Sequence, residues 1–144
     1  GFPGETDLDF ADTIKLVADI GYASAYSFKY SQRPGTPAAG DDLQVDEQSK
    51  ADRLAALQQL LDAQQMAFNK TCEGQQMSVL IDKTGGRDGQ VKGRSPYMQA
   101  VYMEGDHAQL GQLATVIVKE ARQNSLLVEI EKRPSQIKPE ENVA

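Results

Sequence analysis

The residues of this 144-residue chain that could do chemistry are few. It has one cysteine, Cys72, and one histidine, His107. A lone thiol makes no internal disulfide, and by itself it holds neither a zinc ion nor an iron–sulfur cluster. His107 follows a Gly-Asp turn and reads as a solvated loop residue. Metal chemistry would have to come from residues this sequence does not contain. The other candidates are cations beside an aromatic: Lys92 and Arg94 lie close to Tyr97, with Arg87 in the turn before them. Basic side chains next to a ring suit single-stranded RNA, with charge for phosphate and a ring for stacking. An exposed, charge-decorated hairpin is the competing reading. Lys119 and Arg122 are weaker candidates of the same kind.

The net charge of −6 speaks against a nucleic-acid partner, but its distribution matters more than its sum. Gly1 to Asn69 carries 5 basic and 11 acidic residues, whereas Lys70 to Arg133 carries 9 and 8. The second half is close to neutral, which permits a basic face on an acidic chain. No apolar run approaches the ~20 residues of a membrane span, and no signal pattern opens the chain. A cytoplasmic protein is expected.

The elements that must position these residues fall into two groups. Thr6 followed by Asp9 fits a helix N-cap, Phe10, Ile14, Val17 and Ile20 form one apolar face, and Gly21 stops the helix. Tyr26, Phe28 and Tyr30 alternate as in a strand. A turn, a helix and a strand in this order look like part of a βα repeat of a larger barrel, the remainder of which is expected upstream of Gly1. Residues 31–45 read as a loop, and 46–69 as a helix with Leu54, Leu57, Leu61 and Met66 on its buried stripe. From Gly74 the pattern changes to five short strands, at 77–82, 90–92, 97–103, 113–120 and 126–131. They suggest a small closed antiparallel barrel of OB-like type. The tail, 134–144, is expected to be disordered.

Three motifs resemble one family. Gly1-Phe2-Pro3-Gly4-Glu5-Thr6 is similar to a turn in the radical-SAM barrel of the methylthiotransferases, and Tyr30-Ser31-Gln32-Arg33-Pro34-Gly35-Thr36-Pro37-Ala38 resembles the segment that ends that barrel. Gly93-Arg94-Ser95-Pro96-Tyr97, within the five-strand region, resembles the TRAM domain, an RNA-binding barrel fused to these enzymes. The resemblance covers about residues 1–133, and Met98-Gln99-Ala100-Val101 brings it closest to the tRNA-modifying branch. The ribosomal-protein-modifying branch and a free-standing RNA-binding protein are the alternatives.

The resemblance implies an α+β chain: residues 1–45 a remnant of the radical-SAM domain, 46–69 a linker helix, and 70–133 a TRAM barrel. It implies a transferase that uses S-adenosylmethionine and two 4Fe-4S clusters to place a methylthio group on carbon 2 of isopentenyladenosine beside the anticodon. The cluster cysteines are missing, so this chain alone is expected to be inactive and to bind none of these cofactors. Gly4 and Glu5 would line the S-adenosylmethionine pocket, or else serve only as a turn and a helix-starting acid. Arg33 would hold a phosphate or a cofactor carboxylate, or else pair with Asp41 or Asp42. Arg94, with Lys92, Tyr97 and Arg87, would meet the tRNA anticodon stem-loop, in a monomer. Without the rest of its barrel, the segment 1–45 should pack poorly and expose Tyr26, Phe28 and Tyr30.

Overall fold

The structure, a computed structural model, describes residues 1–131. The expectation for the tail, 134–144, lies outside the described residues. The chain divides into two compact units, the first being Gly1–Thr71 and the second starting at Cys72.

In the first unit, α1 spans Asp7–Ile20 and α2 spans Glu47–Thr71, with a 3-10 turn at Pro37–Gly40 between them. The capping box at the start of α1 is complete. Asp9 N–H donates to Thr6 Oγ1 (3.2 Å), and Thr6 N–H donates to Asp9 Oδ2 (2.8 Å). Gly21 ends the helix at φ 67°. Asp46 begins α2 by accepting from Ser49 N–H at 2.9 Å. The two helices are tied by polar contacts: Arg53 reaches Glu5 and Asp7, each at 2.7 Å, and Gln64 donates to the Val17 carbonyl at 2.8 Å. On the apolar stripe of α2 only Leu61 is buried, and α1 has no buried residue.

The strand expected at Tyr26–Tyr30 does not form. A strand exists through its ladder, and all described strands lie in the second unit, so the alternating aromatics have no partner. Tyr26 and Phe28 are 93% and 83% exposed, as expected. Tyr30 departs from the expectation. It is half-buried, edge-on to Phe2 with ring centroids 5.3 Å apart, and Lys50 Nζ lies 5.5 Å from its centroid. No βα repeat is visible in this unit.

The second unit is a closed barrel of β1 (Gln76–Thr84), β2 (Gln90–Arg94), β3 (Ala100–Glu104), β4 (Leu113–Arg122) and β5 (Ser125–Ile130). The order around it is β1-β2-β3-β5-β4. The closed OB-like barrel expected from sequence forms, and four of its five strand pairs are antiparallel as expected; the pair β3–β5 is parallel. A short 3-10 turn, His107–Gln109, and then β4 separate β3 from β5, so no tight hairpin forces them to run in opposite directions. β-Branched residues fill the interior: Val79, Ile81, Val91, Val101, Val116 and Val118 are at most 1% exposed. Burying these side chains contributes about 1.5–3 kcal/mol each, which makes the barrel the well-packed part of the chain.

Candidate nucleic-acid interface

Residues directly opposite in a ladder point to the same side of the sheet. Val91, Gly93, Val101 and Met103 face inward, so Lys92, Arg94 and Tyr102 face outward. Lys92 stands opposite Tyr102, which stands opposite Leu127 on β5. Lys92 Nζ lies 5.0 Å from the Tyr102 ring centroid, within cation–π range. On its other side Lys92 stands opposite Lys83 of β1. Lys83, Lys92, Tyr102 and Leu127 therefore form one outward row across four strands. Among the described residues neither lysine is in an ion pair.

Strict alternation along β1 would place Lys83 inside with Met77, Val79 and Ile81. A register shift between Ile81 and Lys83 turns it outward, and both Asp82 and Lys83 are exposed. Sequence reasoning missed Lys83 for that reason. It also missed Tyr102, for which the signal was available: Val101 and Met103 on either side are apolar, so period two puts the ring outside.

The Gly93–Tyr97 motif divides its work residue by residue. Gly93 is buried, and a Cβ there would lie 2.5 Å from the Leu80 carbonyl oxygen and from Val79 Cγ1. Only glycine lets β2 run this close to β1. Arg94 points outward, its guanidinium donating to the Met98 carbonyl (3.3 Å) and lying 3.8 Å from Asp82. Ser95 is 4% exposed, and its hydroxyl oxygen accepts from Tyr97 N–H and Gln99 N–H (both 3.2 Å) while donating to Gln99 Oε1 (2.8 Å). Pro96 and Tyr97 form the corner of a turn closed by Met98 N–H to Ser95 O at 2.9 Å. Tyr97 thus stands in this turn and not on the third strand, where the sequence placed it. It is 54% exposed and Met98 is 70% exposed. Met98 is the only non-glycine with positive φ (64°) among the described residues.

The structure therefore groups Lys92 with Tyr102 and Lys83, and Arg94 with Tyr97 and Met98, on adjacent parts of one barrel face. Arg87 is not with them. It sits in the β1–β2 turn beyond Gln90, and Gln90 alone is about 13 Å from Arg94 at about 3.3 Å per residue. Lys119 forms an ion pair with Glu129 (2.9 Å) and Arg122 with Glu120 (3.0 Å).

The residues suggested for a cofactor pocket are separated. Gly4 sits at φ 81° in a turn held by Gly4 N–H to Leu43 O (2.8 Å). Partial burial pushes the Glu5 carboxyl up, while the hydrogen bond and the charge of Arg53 pull it down, and the group is held below its ordinary value. Arg33 lines a different hollow, of about 380 Å³, with Phe2, Tyr30 and Thr36. Among the described residues it pairs with neither Asp41 nor Asp42. Glu5 and Arg33 line different hollows of this unit. The chain cannot hold an iron–sulfur cluster, which needs several thiolates: Cys72 is the only cysteine, 2% exposed, with Gln99 Nε2 3.8 Å from its sulfur.

Residues 70–130 match the family model of the TRAM domain. Over 131 residues, 90% of this chain, it is 50% identical to a tRNA-2-methylthio-N(6)-dimethylallyladenosine synthase of Rickettsia felis and 50% identical to that of Rickettsia conorii. The enzyme of the same name from Rickettsia bellii is 51% identical over the same length. The chain spans 29% of the length of each of these relatives. No helix among the described residues is long and apolar enough to cross a membrane. By sequence, residues 70–130 are a TRAM domain, and over 90% of its length the chain is similar to part of these tRNA-2-methylthio-N(6)-dimethylallyladenosine synthases.

Proposed function

We propose that this chain is the tRNA-holding C-terminal part of an enzyme that adds a methylthio group to carbon 2 of isopentenyladenosine next to the anticodon. In this reading the barrel grips the anticodon stem-loop, as a monomer, in the cytoplasm. The observation that carries it is the outward row Lys83–Lys92–Tyr102. Two lysines stand side by side with no carboxylate partner among the described residues, and a ring lies against one of them. Like charges directly opposite one another cost stability in a sheet, and a phosphate between them turns that cost into binding. Arg94 and the exposed Tyr97 extend the face by one more cation and one more stacking surface. The relatives' printed name supplies the substrate, and their similarity over 90% of this chain supports carrying it over.

The enzyme's chemistry would rest on S-adenosylmethionine cleaved at an iron–sulfur cluster, with a second cluster delivering sulfur. No step of it is assigned to these residues, which lack the thiolates. Their part is to bind and orient the RNA. The test is a titration of the 144-residue chain with a tRNA anticodon stem-loop at two salt concentrations, beside Lys92→Ala and Arg94→Ala. Binding that weakens with salt and with each substitution supports the reading. Equal affinity in all three proteins removes this face from RNA binding.

A further inference from the structure

We propose that the barrel has a second RNA subsite, a hollow beside the β3–β5 seam that takes one unstacked nucleobase. The proposal rests on the RNA reading above and extends it beyond the basic face. The parallel ladder between β3 and β5 stops at Tyr102↔Leu127. Beyond that pair the two strands flank a hollow of about 590 Å³, within the range of about 300–1,000 Å³ of small-molecule sites. Met103, Leu127 and Ile130 give it an apolar lining, suited to the faces of a planar base.

Its polar groups can meet the edge of a base. Gln90 and Gln109 line the hollow, and each amide oxygen is already in use: Gln90 Oε1 accepts from Gly86 N–H (3.3 Å) and Gln109 Oε1 from Asp106 N–H (2.8 Å). Each NH2 group remains to donate to a ring nitrogen or carbonyl oxygen of the base. Glu104 and Glu129 also line the hollow and can accept from an exocyclic amine. Those carboxylates disfavour a phosphate inside. Lys119 offers little, being in an ion pair with Glu129. Arg87 is the cation left for the phosphate: it is exposed, lines the hollow and has no ion pair among the described residues. Leu127 closes the row Lys83–Lys92–Tyr102–Leu127, so a strand of RNA leaving the basic face passes directly to the hollow. That path gives Arg87 a role apart from the Arg94 cluster.

The test uses the whole 144-residue chain. Adenosine 5′-monophosphate is titrated while backbone amides are followed by NMR, with inorganic phosphate as the control. Expected are shifts at Gly105, Gln109 and Leu127 with the nucleotide, not reproduced by phosphate, and lost in Leu127→Trp, which fills the hollow. A single-stranded RNA hexamer should bind about tenfold more weakly to Leu127→Trp, the value of about one stacked base. Arg87→Ala, at an exposed position, should weaken it several-fold with an unchanged circular dichroism spectrum. Equal shifts with phosphate alone, or nucleotide shifts confined to the basic face, overturn the subsite. If Lys92→Ala lowers hexamer affinity while Leu127→Trp and Arg87→Ala do not, the hollow is excluded and the RNA face stands. If no RNA binds at all, both fall.

Discussion

Lys83 of β1 and Lys92 of β2 stand directly opposite each other on the outside of the barrel, and among the described residues no carboxylate pairs with either. Their mutual repulsion separates stability from binding. Lys83→Glu replaces it with an attraction and should stabilise the barrel by about 0.5 kcal/mol in urea denaturation. The same substitution should weaken anticodon stem-loop binding about tenfold or more at low salt and lower the salt slope by about 1 to 2. Loss of stability together with unchanged RNA affinity would count against this account of the pair.

Met98 poses a related conflict at the tip of the β2–β3 turn. Its φ of 64° lies where side chains other than glycine's are strained, at a cost of about 1 kcal/mol. Met98→Gly removes that strain, so thermal stability should hold or rise by a few degrees. The same change strips an exposed side chain from beside Tyr97 and loosens the turn, and RNA affinity should fall about threefold or more. A variant that is less stable than the parent would show that Met98 serves the fold and not the surface.

Much of the barrel was legible because its strands obey period two and its turns carry glycine, as at Gly89, which sits at φ 71°. Arg94, Lys92 and Tyr97 were legible as cations and a ring in a short span. What could not be read arises from events that leave little trace in local pattern. The register shift in β1 reverses the face of Lys83, and the parallel β3–β5 pairing brings Leu127 to Tyr102 across 25 residues of chain. Tyr26 and Phe28 failed in the opposite way: they carry a strand's alternation without a neighbour to complete it, and a pattern alone cannot make a ladder.

Gly93 tests the packing argument independently of function. A methyl group there would sit 2.5 Å from the Leu80 carbonyl oxygen and from Val79 Cγ1, inside the β1–β2 contact. The backbone oxygen cannot rotate away, so the strands must separate. Gly93→Ala should destabilise the barrel by about 1–3 kcal/mol, read as a lower denaturation midpoint with an unchanged slope. Near-neutral stability would mean that β1 can shift at its bulge without loss.

The α1–α2 contact should depend on pH, and the sign follows from Glu5. Its carboxyl is ionised when it binds Arg53 at 2.7 Å, and its folded pKa is held below the ordinary glutamate value, which it regains on unfolding. The contribution is therefore fully present above the ordinary glutamate range and is lost as pH falls through the lowered folded value. Hydrogen-exchange protection of α1 amides should hold from neutral pH to about 5 and fall below about 4, the region where an ordinary glutamate protonates. Glu5→Gln should lower that protection at neutral pH and flatten its acid dependence, while the barrel's protection stays unchanged. An acid transition of α1 that persists in Glu5→Gln would point instead to Asp7, the other carboxylate on Arg53, or to Asp9 in the capping box, whose carboxyl the Thr6 hydrogen bonds also hold low.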